Sequence, residues 1–320
     1  MASMITMFLQ SAYSMIDGLF VSNLIGDTAL SAVNVAWPII AVVTAIGTGV
    51  GCGGAVMMST KQGEGKNEES NIVRANVILA LLASSIVVTI LFLILLTPLL
   101  KLMGAEGELL RLSQIYGRVM LTGGVLQILS CGLTPLLRND NRAVSAMMIM
   151  VGGLFANLGL DFVFMYVFHM GIGGAAGASL CAQLFTTVCC LMILCTKKTD
   201  PIHLSQFMIR KEYWKKIFKT AVSPFGISLT PSLLILYHNV ACLKFGGDLA
   251  VNAYALISST VGSYRVLLIG VAEGIQPLAS YAYGAHDFHA IRKIRNKAVI
   301  TAMGVSFFLF IFTNATARFY

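Results

Sequence analysis

Charge is what this chain lacks most. Asp, Glu, Lys and Arg make up 11% of its 320 residues, whereas an average soluble domain has about a quarter of its residues charged. A water-soluble globule of this size is therefore excluded. Metal spacing is missing as well: Cys52, Cys131, Cys181, Cys189, Cys190, Cys195 and Cys242 sit singly or as one adjacent pair inside apolar runs, and His169, His238, His286 and His289 form no ligand cluster. The cysteines read as reduced packing residues rather than a disulfide framework. Gly63-Glu64-Gly65-Lys66 lacks the full G-x-x-x-x-G-K-[ST] spacing and follows an apolar run, which excludes ATP coupling through a phosphate loop. No nucleophile, metal cluster or pair of interfacial acids stands out, so an enzyme is not expected. The formal charge of +8 is carried by basic residues at the ends of apolar segments without an aromatic-interleaved groove, which argues against nucleic acid.

What is abundant is hydrocarbon. Hydrophobic residues reach 57% and mean hydropathy is +0.81, and windows of about 20 residues predict nine membrane-spanning helices. They fall at 2–24, 30–57, 75–100, 112–136, 143–168, 174–196, 218–243, 249–281 and 298–317. Glycines and prolines within them, such as Pro38, Gly47, Gly51, Pro224 and Pro277, predict bends or breaks. The first span has neither the charged start nor the cleavage site of a signal peptide and is expected to stay in the mature protein. With the amino terminus in the cytoplasm, sixteen basic residues at 61–74, 138–142, 197–219 and 292–297 lie inside, against Lys101, Arg111, Lys244 and Arg318 outside. That asymmetry orients the chain in the cell membrane by the positive-inside rule. The last apolar run stops at Tyr320 without a polar tail, from which a shortened chain is expected.

Shifted by 221 residues, the sequence matches itself: Gly26, Asp27, Ala29, Ala32, Gly49, Gly53, Ser59, Gly63 and Arg74 meet Gly247, Asp248, Ala250, Ala253, Gly270, Gly274, Ser280, Gly284 and Arg295. Six helices separate the copies, so the repeats are parallel, related by an axis along the membrane normal, with a cavity between two lobes. The expected division is a first lobe at 1–196, a cytoplasmic linker at 197–217 and a partial second lobe at 218–320. Phe207, Ile209, Tyr213 and Trp214 give the linker an amphipathic, interfacial character.

Two carboxylates, Asp17 and Asp161, fall inside spans, and Asp161 shares a helix face with Asn157 in NLGLD. An acid in hydrocarbon costs several kcal/mol on most estimates and marks an ion or substrate pathway. Packing roles for both acids are the plainer alternative. Glu273 is a third intramembrane acid, a cavity candidate that could instead pair with Arg265 two turns earlier; Gln127 is a further cavity candidate, and Tyr116 and Arg118 lie near an interface. The sixteen methionines, with Phe155, Phe162, Phe164, Tyr237, Tyr254 and Tyr264, offer either a pliable pocket for aromatic cations or lipid-facing packing.

The stretches SAYSMIDGLFVSNLIGDTALSAVNVAWPI, LLRNDNRA, FANLGLDFVFMYVFHMGIGGAAGASL and EGIQPLASYAYGAHD resemble the MATE family, the multidrug and toxic compound extrusion transporters, in the bacterial branch with DinF-like and MepA-like members. The resemblance runs the whole length. It implies an all-α, polytopic membrane protein of two facing six-helix bundles, of which this chain would hold the six-helix N-lobe and three helices of the C-lobe. It also implies a cation site at Asp17, Asn157, Asp161 and Ser179, the last a serine where the family pattern has threonine. TAVSPFGISLTPSLLILYHNV carries no acid, so the second-lobe sodium site of some members is not expected. The implied function is a secondary antiporter that exports organic cations or drugs in exchange for H+ or Na+. Such a pocket holds a proton or binds sodium; no other metal or cofactor is called for. The partners are small amphipathic or cationic molecules and membrane lipid. Export of lipid-linked or polysaccharide precursors and an inactive shortened transporter are the alternatives.

Overall fold

The structure is a computed structural model and describes residues 6, 7, 9, 27–196, 206, 207 and 209–316. Among them the chain is helical with no strand: α1 Asp27–Gly63, α2 Asn67–Leu102, α3 Gly107–Thr122, α4 Gly124–Asn139, α5 Ala143–Asp161, α6 Gly171–Cys195, α7 Lys211–Gly284 and α8 Phe288–Thr316. Five stretches, in α1, α2, α5, α6 and α8, are long and apolar enough to cross a membrane, and α3 and α4, bent by 57° at their junction, are so when taken together. This is a multi-pass, all-α membrane protein.

The span expected at 112–136 is the bent one. It breaks at Gly123, which frees the Met120 carbonyl from its helical partner, and the Gln127 side chain donates Nε2 to that oxygen over 2.7 Å. In hydrocarbon a freed backbone carbonyl needs such a donor, because no water is there to supply one.

The spans expected at 218–243 and 249–281 fall together in α7, which folds back on itself. On a straight helix His238 and Tyr254 would stand about 24 Å apart, yet their rings stack nearly parallel, with centroids 5.1 Å apart. Both ends of α7 accordingly meet α1: Ile217 and Ala221 lie against Gly53, and Tyr281 against Gly63. The span at 2–24 lies outside the described residues except at 6, 7 and 9.

Helix α1 is the axis of the fold, packing most extensively against α7, α4 and α2. Its run GTGVGCGG explains why. Gly47 and Gly51, one turn apart, lie against the backbones of Ile128 and Gly132 on α4; Gly49 and Gly53 lie on another face against Ala221 and Phe225 of α7; Gly54 meets Val77 of α2. Between helices in lipid, where apolar burial gives no driving force, close backbone approach through small residues supplies the packing energy. Around these crossings Ile40, Met58, Leu81, Leu133 and Leu137 form the core, while Ile86, Val87, Ile90 and Ile94 of α2 point outward as a lipid-facing stripe.

The linker departs from an interfacial helix. Among its described residues helix begins only at Lys211, and Phe207, Tyr213 and Trp214 pack on the hydrophobic core while Ile209 is exposed. The Arg210 amide donates to Asn76 Oδ1 over 3.0 Å, tying the linker to α2. At the same end, Lys61 and Lys66 pair with Glu64 at 2.9 and 3.0 Å and hold its carboxyl below the usual range.

Candidate functional site

Helix α5 is apolar on nearly every face, so the two polar residues of its second half stand out. Asn157 and Asp161 lie one turn apart on the buried side, 7% and 0% exposed, and Asn157 donates Nδ2 to Asp161 Oδ2 over 3.0 Å. The α-helix ends at Asp161 and continues as a wider π turn, Phe162–Val167, in which Phe162 and Tyr166 stack with centroids 5.0 Å apart. Such π segments are frequent at functional sites, since they re-aim the side chains beside them.

In front of Asn157 opens a cavity of about 420 Å³. Its wall takes Trp37, Thr44 and Thr48 from α1, Ser130, Thr134 and Arg138 from α4, Asn157 from α5, Ser179, Gln183 and Thr186 from α6, and Glu273 from α7. Asp161 is not part of that surface; it stands behind Asn157.

The wall has a consistent polarity. Thr44, Thr48, Ser130, Thr134 and Thr186 each donate their hydroxyl proton to a carbonyl of their own helix, at 2.8 to 3.0 Å. A hydroxyl whose proton is spent offers only oxygen lone pairs. Asn157 likewise gives an amide proton to Asp161, and Gln183 Oε1 is buried with no hydrogen-bond partner among the described residues. These groups therefore face the cavity as acceptors, the complement of a cation, while the Arg138 guanidinium on the same wall is paired with Glu273.

Comparison with known proteins agrees with this architecture. The MatE family profile matches residues 2–163 and 227–320, most of the chain. The chain belongs to the MatE family. Within the family of MATE transporters it falls in the MepA-like branch: it is 25% identical over 310 residues to the multidrug export protein MepA of Staphylococcus aureus (strain N315), covering 95% of this chain and 67% of that protein. Against the MepA of Staphylococcus saprophyticus it is 24% identical over 282 residues, covering 88% of this chain and 62% of the relative. The chain thus spans under two thirds of that relative's length. A multidrug resistance MATE transporter of the MOP superfamily, solved in an outward-facing conformation, superposes with a TM-score of 0.91 at 26% identity, over 98% of this chain and 69% of that one.

In this MATE chain, Asn157, Ser179 and Glu273 lie on the cavity, and Asp17 lies outside the described residues. Glu273 does not pair with Arg265. Its Oε2 accepts from Arg138 Nη1 at 2.6 Å, since eight residues along a helix place Arg265 about 12 Å away whereas Arg138 of α4 faces it directly. Gln127 is a correction too: it is fully buried, its amide is committed to the Met120 carbonyl, and it does not line the cavity. None of the six aromatics named as pocket candidates lines it; Phe155, Phe162 and Tyr237 are exposed, and Trp37, Tyr116, Met7, Met120 and Met150 supply the soft surface.

Sequence reading missed Gln183 and the hydroxyl set. Gln183 could have been found, because it lies one turn from Ser179 on the same face of α6. The serines and threonines gave no such signal, since nothing local separates a cavity hydroxyl from a packing one.

Proposed function

We propose that this chain belongs to a multidrug efflux antiporter that exports amphipathic organic cations in exchange for a proton or sodium, with the 420 Å³ cavity as the cargo site. The observation that carries the reading is the set of acceptor oxygens on the wall, beside an Arg138 that is already held by Glu273. A positively charged ligand gains from every exposed hydroxyl and amide oxygen there. Asp161 supplies a carboxylate one hydrogen bond behind the wall, with Asp17 of the first span as its proposed second acid. A carboxylate that takes up a proton or sodium stops attracting a cation, so ion entry and cargo binding compete. Exchange follows from that competition, without covalent chemistry.

The proposed orientation in the cell membrane has the amino terminus inside. In support, α1 and α7 bring the loops at 64–66 and 285–287 to one end of the molecule, where Lys61, Lys66 and Arg142 also lie. A concentration of basic residues at one membrane face is the mark of the cytoplasmic side.

The test is ethidium efflux from proteoliposomes under a proton gradient and, separately, a sodium gradient. Efflux driven by one of them is expected. Ethidium movement independent of both gradients would overturn the exchange.

A further inference from the structure

A second cavity, about 490 Å³, lies beyond the first along the same three helices. On α1 the lining passes from Trp37, Thr44 and Thr48 to Ser59 and Gln62; on α4 both cavities touch Arg138; on α7 the first reaches Glu273 and the second starts at Gly274. On all three helices the border falls at the level of the Arg138–Glu273 pair, whose side chains are 6% and 20% exposed. Arg138 belongs to the first bundle and Glu273 to the second, so the pair also joins the lobes. Past it, toward the basic loops, the lobes touch again where Ser59 Oγ donates to the Pro277 carbonyl over 3.1 Å.

Resting on the transport reading above, we infer that the Arg138–Glu273 pair is the gate between the cargo cavity and the basic-loop face, and that organic cation cargo opens it by taking the Glu273 carboxylate from Arg138. Three features of the site fit this role. The pair spans the lobe boundary, so breaking it parts two bodies rather than deforming one. Glu273 lines the cargo cavity, where a cation meets it directly. Pro277 sits four residues after Glu273 and lacks the N–H that would hold the Glu273 carbonyl, which leaves α7 weakest where it must bend. An ion pair shielded from water is held firmly while both partners remain, and losing one leaves a buried charge that drives the helices apart.

Cys131 lines the cargo cavity and reports on the gate without any transport assay. The full chain is reconstituted in vesicles, a membrane-impermeant maleimide is applied to the basic-loop face, and labelling of the Cys131 peptide is followed by mass spectrometry. Arg138→Gln and Glu273→Gln are each expected to speed labelling several-fold, and the exchanged pair Arg138→Glu/Glu273→Arg to return it toward the unmodified rate. Tetraphenylphosphonium is expected to speed labelling in the unmodified protein and not in Glu273→Gln. Unchanged rates in both single variants overturn the gate. A rise that charge exchange does not reverse overturns it too, because unfolding gives that result. Indifference to tetraphenylphosphonium overturns opening by cargo. Failed ethidium exchange with the labelling pattern intact would remove the antiport reading and leave the gate standing.

Discussion

Gly63 and Gly284 are equivalent under the 221-residue repeat and lie against each other's helices in the fold, Gly63 on the Tyr281 carbonyl and Gly284 on the Thr60 carbonyl. Thr60 and Tyr281 are themselves equivalent in that register. The contact is therefore self-complementary, as at a two-fold axis. A methyl group at either glycine would overlap a carbonyl oxygen that helix geometry holds in place.

From this contact, Gly63→Ala and Gly284→Ala are each expected to destabilise the protein by about 1–3 kcal/mol, the usual cost of overpacking. Thermal unfolding in detergent should show a fall of a few degrees for each. Because either methyl opens the same crossing, the double variant should lose less than the sum of the two. Full additivity would show that the two contacts are independent.

Asp161→Asn keeps the shape of the side chain and removes its charge. It is expected to abolish ethidium efflux from cells while leaving membrane expression unchanged, since an amide still pairs with Asn157. Asn157→Ala instead removes the donor from a fully buried carboxylate, at a cost of about 1–3 kcal/mol. It should lower both stability and efflux. Normal efflux in Asp161→Asn would deny the acid a role in coupling.

Much of the fold was legible in the sequence because the signals involved are long. Twenty apolar residues with charges at their ends leave few readings open: α5 with its π turn and α6 follow the expected spans within a few residues, and α2 and α8 contain nearly all of theirs but start 8 and 10 residues earlier. What escaped depends on partners far away in the chain. Nothing near Gly123 distinguishes a break from a tolerated glycine until Gln127 is seen donating to Met120. Glu273 looked equally ready for Arg265 or for the cavity, since the return of α7 to α1, which sets Arg138 before it, is not a local property. At the candidate site, the spacing of Asn157 and Asp161 placed them on one helix face, as one helical turn requires, and the structure adds the hydrogen bond between them. Whether a residue stands on the cavity wall or behind it depends on three other helices, and the order of Asn157 and Asp161 could not be read.

Gln127→Leu tests the bend between α3 and α4. The substitution keeps the approximate volume but leaves the Met120 carbonyl without its donor in a site fully shielded from solvent. A loss of about 1–3 kcal/mol is expected. Gln127 also carries an Oε1 with no partner among the described residues, and its removal places the cost at the lower end of that range. Circular dichroism with temperature would read it. A gain in stability would mean that the bend is held by packing alone.

Arg74 and Asp140 form the most deeply buried charged pair among the described residues, 0% and 1% exposed in their side chains and 3.7 Å apart. Arg74 also donates to the Leu194 carbonyl over 3.3 Å and to the Asn71 side chain, while Asp140 accepts from Gln62 over 3.1 Å. The loop after α4 is thereby tied to α1, α2 and α6 just beside Arg138. Arg74→Met removes the cation and leaves the Asp140 carboxylate with Gln62 and with Arg142, whose Nε lies 3.9 Å off. Removing one partner of a buried pair costs about 3–5 kcal/mol, enough to reduce the folded protein recovered from membranes. Replacing both, as in Arg74→Met/Asp140→Leu, removes the stranded charge and should recover part of the loss. Thermal unfolding of the two variants side by side measures the difference. If the double variant proved less stable than Arg74→Met, the hydrogen bonds radiating from Asp140 would outweigh its charge, and the loop would be held by geometry rather than by electrostatics.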